Sequence, residues 1–214
     1  MSIDSCGDFR QIWGMSVEDA KLPPQGAGRA VDRQDMILDA AFHAFATYGY
    51  RRTTMDDIAR GVGMSRSALY LHYRNKDDMF RTLAERYFNE AMAAMEVALT
   101  APGQTPEQAL IAAFVAKDGK FMDVVLGTPH GSELLDAGMS LTKDLADQAE
   151  ARKIGILARW LAALPMAEGI GSPEAVARTI MVSAMGLKFP GQTLDGYRQG
   201  QRQLARLFAR AIAG

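Results

Sequence analysis

The chain is poor in the side chains that build metal centres and many catalytic sites. Its 214 residues include one cysteine, Cys6, and three histidines. A lone cysteine excludes an internal disulfide and is typical of proteins in a reducing compartment. With so few histidines, the chain also lacks the constellation of a zinc site or a catalytic triad. We therefore predict a protein that is not an enzyme and has no metal site and no cofactor.

Long apolar segments are also missing from the sequence. No apolar run approaches the roughly 20 residues that are needed to span a bilayer. The N-terminus does not begin with a basic segment followed by an apolar one, as a secretory signal does. Together with the scarcity of cysteine, these absences predict a cytoplasmic protein that has no membrane partner.

Strand-like alternation of apolar and polar residues occurs nowhere, and the chain has no internal repeat. Apolar residues instead recur at three- and four-residue intervals, which predicts helices and an all-α fold. Residues 1–30 are the exception, because glycine and proline interrupt them and no period persists. We predict a flexible N-terminal extension of unknown role there. An arm that contacts DNA is the less favoured alternative, since only three of these residues are basic.

Two short helices joined by a tight turn are predicted after a first firm helix over Arg33–Tyr48. Thr54 is a suitable N-cap, and Asp57 three residues later can complete a capping box. Gly63 allows a sharp turn, and Ser65 can cap the second short helix. This pattern is typical of a helix-turn-helix, whose second helix can lie in a DNA major groove.

The charge of the chain is unevenly distributed. Its formal net charge at pH 7 is −1, but residues 51–76 contain six basic and only two acidic residues. A cluster of charge is ordinarily no more than a solvated surface. Here the basic excess coincides with the helix-turn-helix, and a basic face on an otherwise balanced protein is typical of a DNA-binding module.

Helices are predicted to continue to the end of the chain. Asn75 is a good N-cap for a helix that runs to about Thr100, which at 1.5 Å per residue would be about 35 Å long. One long helix is predicted over residues 132–164, weakened by the two glycines within it. The last two helices are predicted over residues 172–189 and 193–213.

A set of residues between positions 37 and 83 follows the order found in one family of proteins. The set consists of Ile37-Leu38-Asp39-Ala40-Ala41, Phe45, Tyr48-Gly49-Tyr50, Thr53-Thr54, Asp57-Ile58-Ala59, Gly63-Met64-Ser65, Leu69-Tyr70, His72-Tyr73, Asn75-Lys76 and Met79-Phe80. It resembles the DNA-binding domain of the tetracycline-repressor (TetR) family of bacterial transcriptional regulators. The resemblance covers under a quarter of the chain by motif and the remainder only by its helical pattern.

The resemblance implies an all-α fold in two parts. An N-terminal three-helix domain with the helix-turn-helix, residues 31–78, would be joined by a long helix to a larger C-terminal helical domain. That second domain, residues 79–214, would bind an effector and form the dimer.

The resemblance also implies which side chains meet DNA. Thr53 and Thr54 would contact phosphate at a helix N-terminus, where free amides and the helix dipole favour an anion. Lys76 would pair with phosphate, and the guanidinium of Arg66 can bind O6 and N7 of guanine. Tyr70 either contacts DNA or forms a wall of the core. The predicted DNA-binding residues are Thr53, Thr54, Arg66, Ser67, Tyr70, His72 and Lys76.

An effector pocket is implied between the long helix and the later ones. Its candidate walls are apolar residues, namely Met92, Met95, Phe114, Phe121, Met122, Met139 and Trp160. Asn89, His130 and Lys188 are candidate polar anchors. Methionine and aromatic side chains suit an adaptable apolar pocket, although each residue taken singly is the better candidate for an ordinary core position. Such walls favour an apolar or aromatic small molecule as the effector.

The last two helices are implied to pair with those of a second copy. Small residues in the helix over 172–189 allow close packing, and a dimer would set two DNA-binding helices about 34–36 Å apart, as successive major grooves require. Four arginines recur at four-residue intervals in the last helix and form one stripe. They are Arg198, Arg202, Arg206 and Arg210. The stripe is either solvated or paired with acidic residues of the second copy.

These expectations predict a dimeric, sequence-specific regulator that binds double-stranded operator DNA. The favoured mode is repression, with the regulator released from its operator by a small-molecule effector. An activator or a sequence-tolerant DNA-binding protein is the alternative. A helical small-molecule-binding protein with no DNA role is the least favoured interpretation.

Overall fold

The computed structural model describes residues 33–118, 121–188 and 192–213, and all regular structure in these ranges is helical. The helices are α1 (Arg33–Tyr48), α2 (Met55–Val62), α3 (Arg66–Tyr70), α4 (Lys76–Thr100), α5 (Pro106–Ala116), α6 (Phe121–Gly127), α7 (Gly131–Leu141), α8 (Lys143–Ala162), α9 (Pro173–Met185) and α10 (Leu194–Ala213). The predicted all-α fold is confirmed. The predicted N-terminal extension lies outside the described residues, and the predicted domain boundaries stay predictions.

Local capping chemistry fixes the ends of the short helices. Thr54 accepts a hydrogen bond from the Asp57 amide while the Asp57 carboxylate accepts one from the Thr54 amide, so the predicted capping box is confirmed. Gly63 ends α2 at a φ of +71°, a value that glycine adopts without strain. Ser65 caps α3 by accepting from the amide of Ala68. Each end is therefore set by residues within three positions of it.

The reading head, which we define as residues 33–83, has its own apolar core. Its fully buried members come from α1 to α4 and are Ile37, Ala41, Phe45, Ile58, Leu69 and Met79. Three aromatic rings pack together at one end, with centroid distances of 5.2 Å for Phe45–Tyr50, 5.8 Å for Phe45–Phe80 and 5.1 Å for Tyr50–Phe80. Because Phe80 lies in α4, the start of that helix belongs to the head.

Helix α4 joins the head to the body, which we define as residues 84–213. Asn75 caps it by accepting from the Asp78 amide, as predicted. Its later buried residues, Met95 and Leu99, enter the core of the body. The body core is formed mainly by α4, α5, α8, α9 and α10, and it includes Leu110, Phe114, Leu157, Leu161, Ile180 and Ile212.

The prediction of a single helix over residues 132–164 is wrong, because the chain forms two helices there, α7 and α8. The break lies at Thr142, whose backbone leaves the helical region with φ −131° and ψ 20°. The Thr142 hydroxyl donates to the carbonyl of Gly138 at 2.7 Å and its amide donates to the same oxygen at 2.9 Å.

Within the described ranges, no helix combines the length and the apolar character that crossing a bilayer requires.

Candidate DNA-binding surface and effector region

One face of helix α3 packs into the core of the head, and the other face is exposed to solvent. Leu69 is fully buried, whereas Arg66, Ser67 and Tyr70 are exposed. His72, just past the end of the helix, is exposed as well. The structure therefore exposes four of the predicted DNA-binding residues on α3 and just past its end.

Arg66 is held in place by two neighbours on this surface. Its Nη1 donates to Asp56 Oδ2 at 2.9 Å, and its guanidinium carbon lies 5.5 Å from the centre of the Tyr70 ring. The Tyr70 hydroxyl and the Asp56 carboxylate raise the pKa of Arg66. Exposed ion pairs contribute little to stability, so Arg66 can exchange Asp56 for another partner at small cost.

The two predicted threonine contacts have different environments. The Thr53 side chain is buried and donates to the carbonyls of Gly49 and Ala44 at 2.8 and 3.1 Å. Its amide donates to the carbonyl of Gly49 as well. We therefore correct the prediction for Thr53, because both of its donors are used inside the head. Thr54 is exposed and remains a candidate for phosphate contact.

Lys76 also differs from its predicted role. Its ammonium donates to the carbonyls of Tyr50, Arg51 and Thr53 at 2.7, 3.1 and 3.2 Å. It lies 4.6 Å from the centre of the Tyr50 ring. An ammonium has three donors, and these three carbonyls use them all. Lys76 thus fastens the turn between α1 and α2 to the start of α4, which leaves its predicted phosphate contact without a free donor.

Residues 37–83, from α1 to the first turns of α4, match the family model described as bacterial regulatory proteins of the tetR family. This segment is a TetR-family DNA-binding domain. The match covers the helices, caps and turn whose geometry is described above. The TetR resemblance predicted from the sequence is confirmed.

Curated relatives of this chain are similar over part of their length. The transcriptional repressor ComR of Escherichia coli is 30% identical over 129 residues, which cover 60% of each chain. The negative transcriptional regulator IcaR of the biofilm operon icaADBC, from Staphylococcus epidermidis, is 41% identical over 56 residues, 26% of this chain and 30% of IcaR. The chain therefore spans at most 60% of the length of these two relatives.

Solved structures extend the similarity to the body. SmeT, the repressor of a Stenotrophomonas maltophilia multidrug efflux pump, matches over 87% of this chain and 90% of its own with a TM-score of 0.61. A SmeT–triclosan complex matches with the same score over 84% of this chain and 90% of its own. Both are 20% identical, so they show the fold alone. They confirm the arrangement of a helix-turn-helix head and a helical C-terminal body.

The body contacts the head at the turn between α1 and α2. Glu133, in the first turn of α7, accepts a hydrogen bond from the Arg51 amide at 2.5 Å. Gly49 has a φ of +84°, and a Cβ there would collide with the Glu133 carboxylate and lie 3.4 Å from Nδ1 of His130. Sequence reasoning missed this contact, because no local pattern reports on residues that are 82 positions apart.

The predicted pocket residues do not form one group. Met95 and Phe114 are buried in the body core, and Trp160 packs against it. Met122 lies in a second buried cluster, with Phe121 packed against it, and Met92 is buried separately in α4. The structure corrects the prediction for Met139, which is 71% exposed and cannot wall an enclosed pocket within one chain.

Two of the three predicted polar anchors, Asn89 and Lys188, have polar partners inside the protein. Asn89 accepts a hydrogen bond from Arg152 at 3.2 Å, and His130 precedes α7 beside Gly49. Lys188 pairs with Asp118 at 3.1 Å. Within the described residues, no three His, Cys, Asp or Glu side chains are grouped as ligands of a metal ion would be.

Asp118 is the centre of a buried polar cluster that the sequence did not predict. Its Oδ1 pairs with Lys117 at 2.8 Å and Lys188 at 3.1 Å, and its Oδ2 accepts from Tyr197 and Gln201, each at 2.7 Å. Burial alone would raise its pKa, but the two ammonium groups hold the pKa of Asp118 well below its usual range. Burial lowers the pKa of Lys117 to about 8.

The arginine stripe of α10 is partly paired within the chain. Arg198 pairs with Asp123 at 2.6 Å, and Arg206 pairs with Glu107 at 3.1 Å. An open groove of about 580 Å³ runs along the outer side of α10. Its lining residues are Gly196, Gln199, Gly200, Arg202, Gln203 and Arg206.

Proposed function

We propose that this TetR-family chain is a homodimeric, sequence-specific repressor that a small-molecule effector releases from operator DNA. The observation that carries the proposal is the outward face of α3, where Arg66, Ser67 and Tyr70 are exposed while Leu69 anchors the helix in the core. A short, rigidly capped helix with such a face can enter a major groove. The names of ComR and IcaR, which describe negative regulators, support repression.

The body offers a surface for a second copy. Three large apolar side chains are exposed on the two helices predicted to form the dimer, Val182 and Met185 on α9 and Leu207 on α10. Exposed apolar residues that cluster on one surface mark sites of protein association. A dimer formed there would carry two heads, as recognition of two half-sites requires.

An effector signal has two routes from the body to the head. The first is the α7 contact, in which Glu133 holds the Arg51 amide. The second is α4 itself, where Arg81 donates to both carboxylate oxygens of Asp144 at 2.9 and 2.8 Å. An effector that moves α7 or α8 would shift the head through these bonds. Operator binding would then weaken effector binding by the same factor. Triclosan bound to SmeT suggests an apolar aromatic class of effector.

The DNA role is tested by selecting bound sequences from a random pool and measuring their affinity by gel shift. The substitution Arg66→Ala should remove a base contact worth about 1–3 kcal/mol and relax the preference at one position. The matched control is Arg159→Ala, because Arg159 forms a similarly exposed ion pair with Glu96 at 3.3 Å on the body. If both variants bind the selected DNA like the parent, Arg66 does not read bases.

Salt and competitor DNA separate the alternatives. Affinity for operator should fall steeply as salt rises, since phosphate contacts release counterions. Equal competition by random DNA would favour the sequence-tolerant alternative, and a reporter that loses expression without the protein would favour an activator. A pool from which nothing is enriched would favour a small-molecule-binding protein without a DNA role.

The dimer is tested by placing a charge on the exposed apolar surface. Val182→Glu should give a monomer in sedimentation and weaken operator binding at nanomolar protein concentrations. Val97→Glu is the control, because Val97 is exposed to a similar extent on α4. A dimer that survives Val182→Glu would contradict the predicted interface.

A further inference from the structure

The outward surface of α3 includes an apolar side chain that polar contacts to DNA leave unused. Leu71 is 87% exposed, the largest fraction among the exposed large hydrophobic residues of the described chain. It is the C-cap of α3 and keeps helical dihedral angles, φ −73° and ψ −22°. Its amide donates to the carbonyl of Ala68 at 3.3 Å, so the backbone fixes where the side chain starts.

Helical geometry places Leu71 on the surface that also carries the predicted base contacts. Leu69 is fully buried, and two residues of helix correspond to a rotation of about 200°, so Leu71 points away from the core. Ser67, four residues earlier, therefore lies next to it on the same face. The half-exposed ring of Tyr70 adjoins it. Leu71 is thus an apolar point among polar neighbours.

The major groove offers one apolar group on its base edges, the C5-methyl group of thymine. We propose that Leu71 packs against a thymine methyl group and so selects thymine at one position of each operator half-site. The inference rests on the proposed DNA-binding function and adds recognition of the methyl group, which Arg66, Ser67 and His72 cannot supply by hydrogen bonding. A stability role does not explain Leu71, because so exposed a side chain contributes almost nothing to the core.

The test replaces single thymines of the selected operator by deoxyuridine, which lacks only the C5-methyl group. For the parent protein, one replacement in one half-site should weaken binding about four-fold, the cost of one buried methyl-sized group. For Leu71→Ala, binding to the thymine operator should weaken at least as much. The same deoxyuridine replacement should then have no further effect on Leu71→Ala. Fluorescence anisotropy at one fixed salt concentration gives these affinities.

The matched control is Val97→Ala, which truncates an apolar side chain of similar exposure on α4. It should retain the full four-fold response to deoxyuridine. The proposal is overturned if no thymine of the half-site responds in the parent, or if Leu71→Ala keeps the same response. The second result would place Leu71 against a sugar or in a protein contact. A parent that enriches no DNA from the pool would instead overturn the proposed function itself.

Discussion

Two ion pairs of nearly equal length lie in opposite environments, one exposed to solvent and one buried. On the reading head, Arg66 lies 2.9 Å from Asp56, and the two side chains are 61% and 50% exposed. In the body, Lys117 lies 2.8 Å from Asp118, and their side chains are 3% and 1% exposed. The two ion pairs have nearly the same length but differ in their exposure to water, and this exposure determines how each pair affects stability.

Exposure to solvent determines how much each ion pair contributes to stability. Water screens the exposed pair, so its contribution to stability is close to zero and its arginine can exchange one partner for another. The buried pair has lost its hydration, and only the full set of contacts around Asp118 offsets that loss. The Arg66–Asp56 pair can therefore open at little cost in stability, whereas the Lys117–Asp118 pair is fixed within the body.

The largest expected difference follows from removing one acid of each pair. Asp118→Ala leaves Lys117 and Lys188 without their shared carboxylate and should lower the free energy of unfolding by about 3–5 kcal/mol. Asp56→Ala should change it by no more than about 0.5 kcal/mol. Urea denaturation of both variants measures the difference. Similar losses in the two variants would contradict the contrast between the pairs.

Raising the pH should stabilise the body through Lys117. Its pKa is about 8 in the folded chain, below the value of a free lysine, so the unfolded chain binds more protons between pH 8 and 10. The free energy of unfolding should therefore rise by about 2 kcal/mol over this window. The raised pKa of Tyr197 acts in the opposite direction only near and above pH 10, where unfolded tyrosine ionises. Lys117→Met should flatten the rise, and an unchanged pH profile would count against the assignment.

Two buried tyrosine hydroxyls allow a second comparison, between a buried polar group that has a hydrogen-bond partner and one that has none. Tyr197 donates to Asp118 at 2.7 Å, whereas the buried hydroxyl of Tyr87 has no partner among the described residues. Tyr197→Phe should cost about 1–3 kcal/mol, because a buried acceptor loses its donor. Tyr87→Phe should be neutral or stabilising, since it removes a polar group that no bond satisfies. Thermal unfolding of the two variants should show shifts of opposite sign or clearly unequal size.

The smallest expected difference in stability separates the neighbouring threonines. Thr53→Val removes an internal hydrogen bond, and Thr54→Val removes a helix cap, so each should cost about 1 kcal/mol. Their effects on DNA should differ. Only Thr54→Val should also weaken operator binding per folded molecule, because only Thr54 is exposed. Equal binding defects would restore Thr53 to the DNA-contacting set.

The parts of the fold that the sequence predicted well are those fixed by local chemistry. The caps at Thr54, Ser65 and Asn75 each depend on a partner three residues away, so the sequence contains all the information needed. The outward face of α3 followed from the burial of Leu69 in the same way. Short-range hydrogen bonding and helical periodicity therefore account for most of the reading head.

The parts that could not be predicted depend on distant residues. The three carbonyls that bind Lys76 belong to a turn more than 20 positions away. Asp118 meets Tyr197 across 79 positions of sequence. In each case the decisive partner becomes a neighbour only after the chain has folded.

The ties along α4 have a mechanical consequence for the whole molecule. Arg86 binds Asp35 and Asp39 of α1 at 3.1 and 2.5 Å, and the Tyr87 ring packs 5.2 Å from that of Phe42. The first three turns of α4 are therefore fixed to the head and move with it as a rigid unit. A rotation of these turns relative to the body would carry α1, and with it the rest of the head, as one unit.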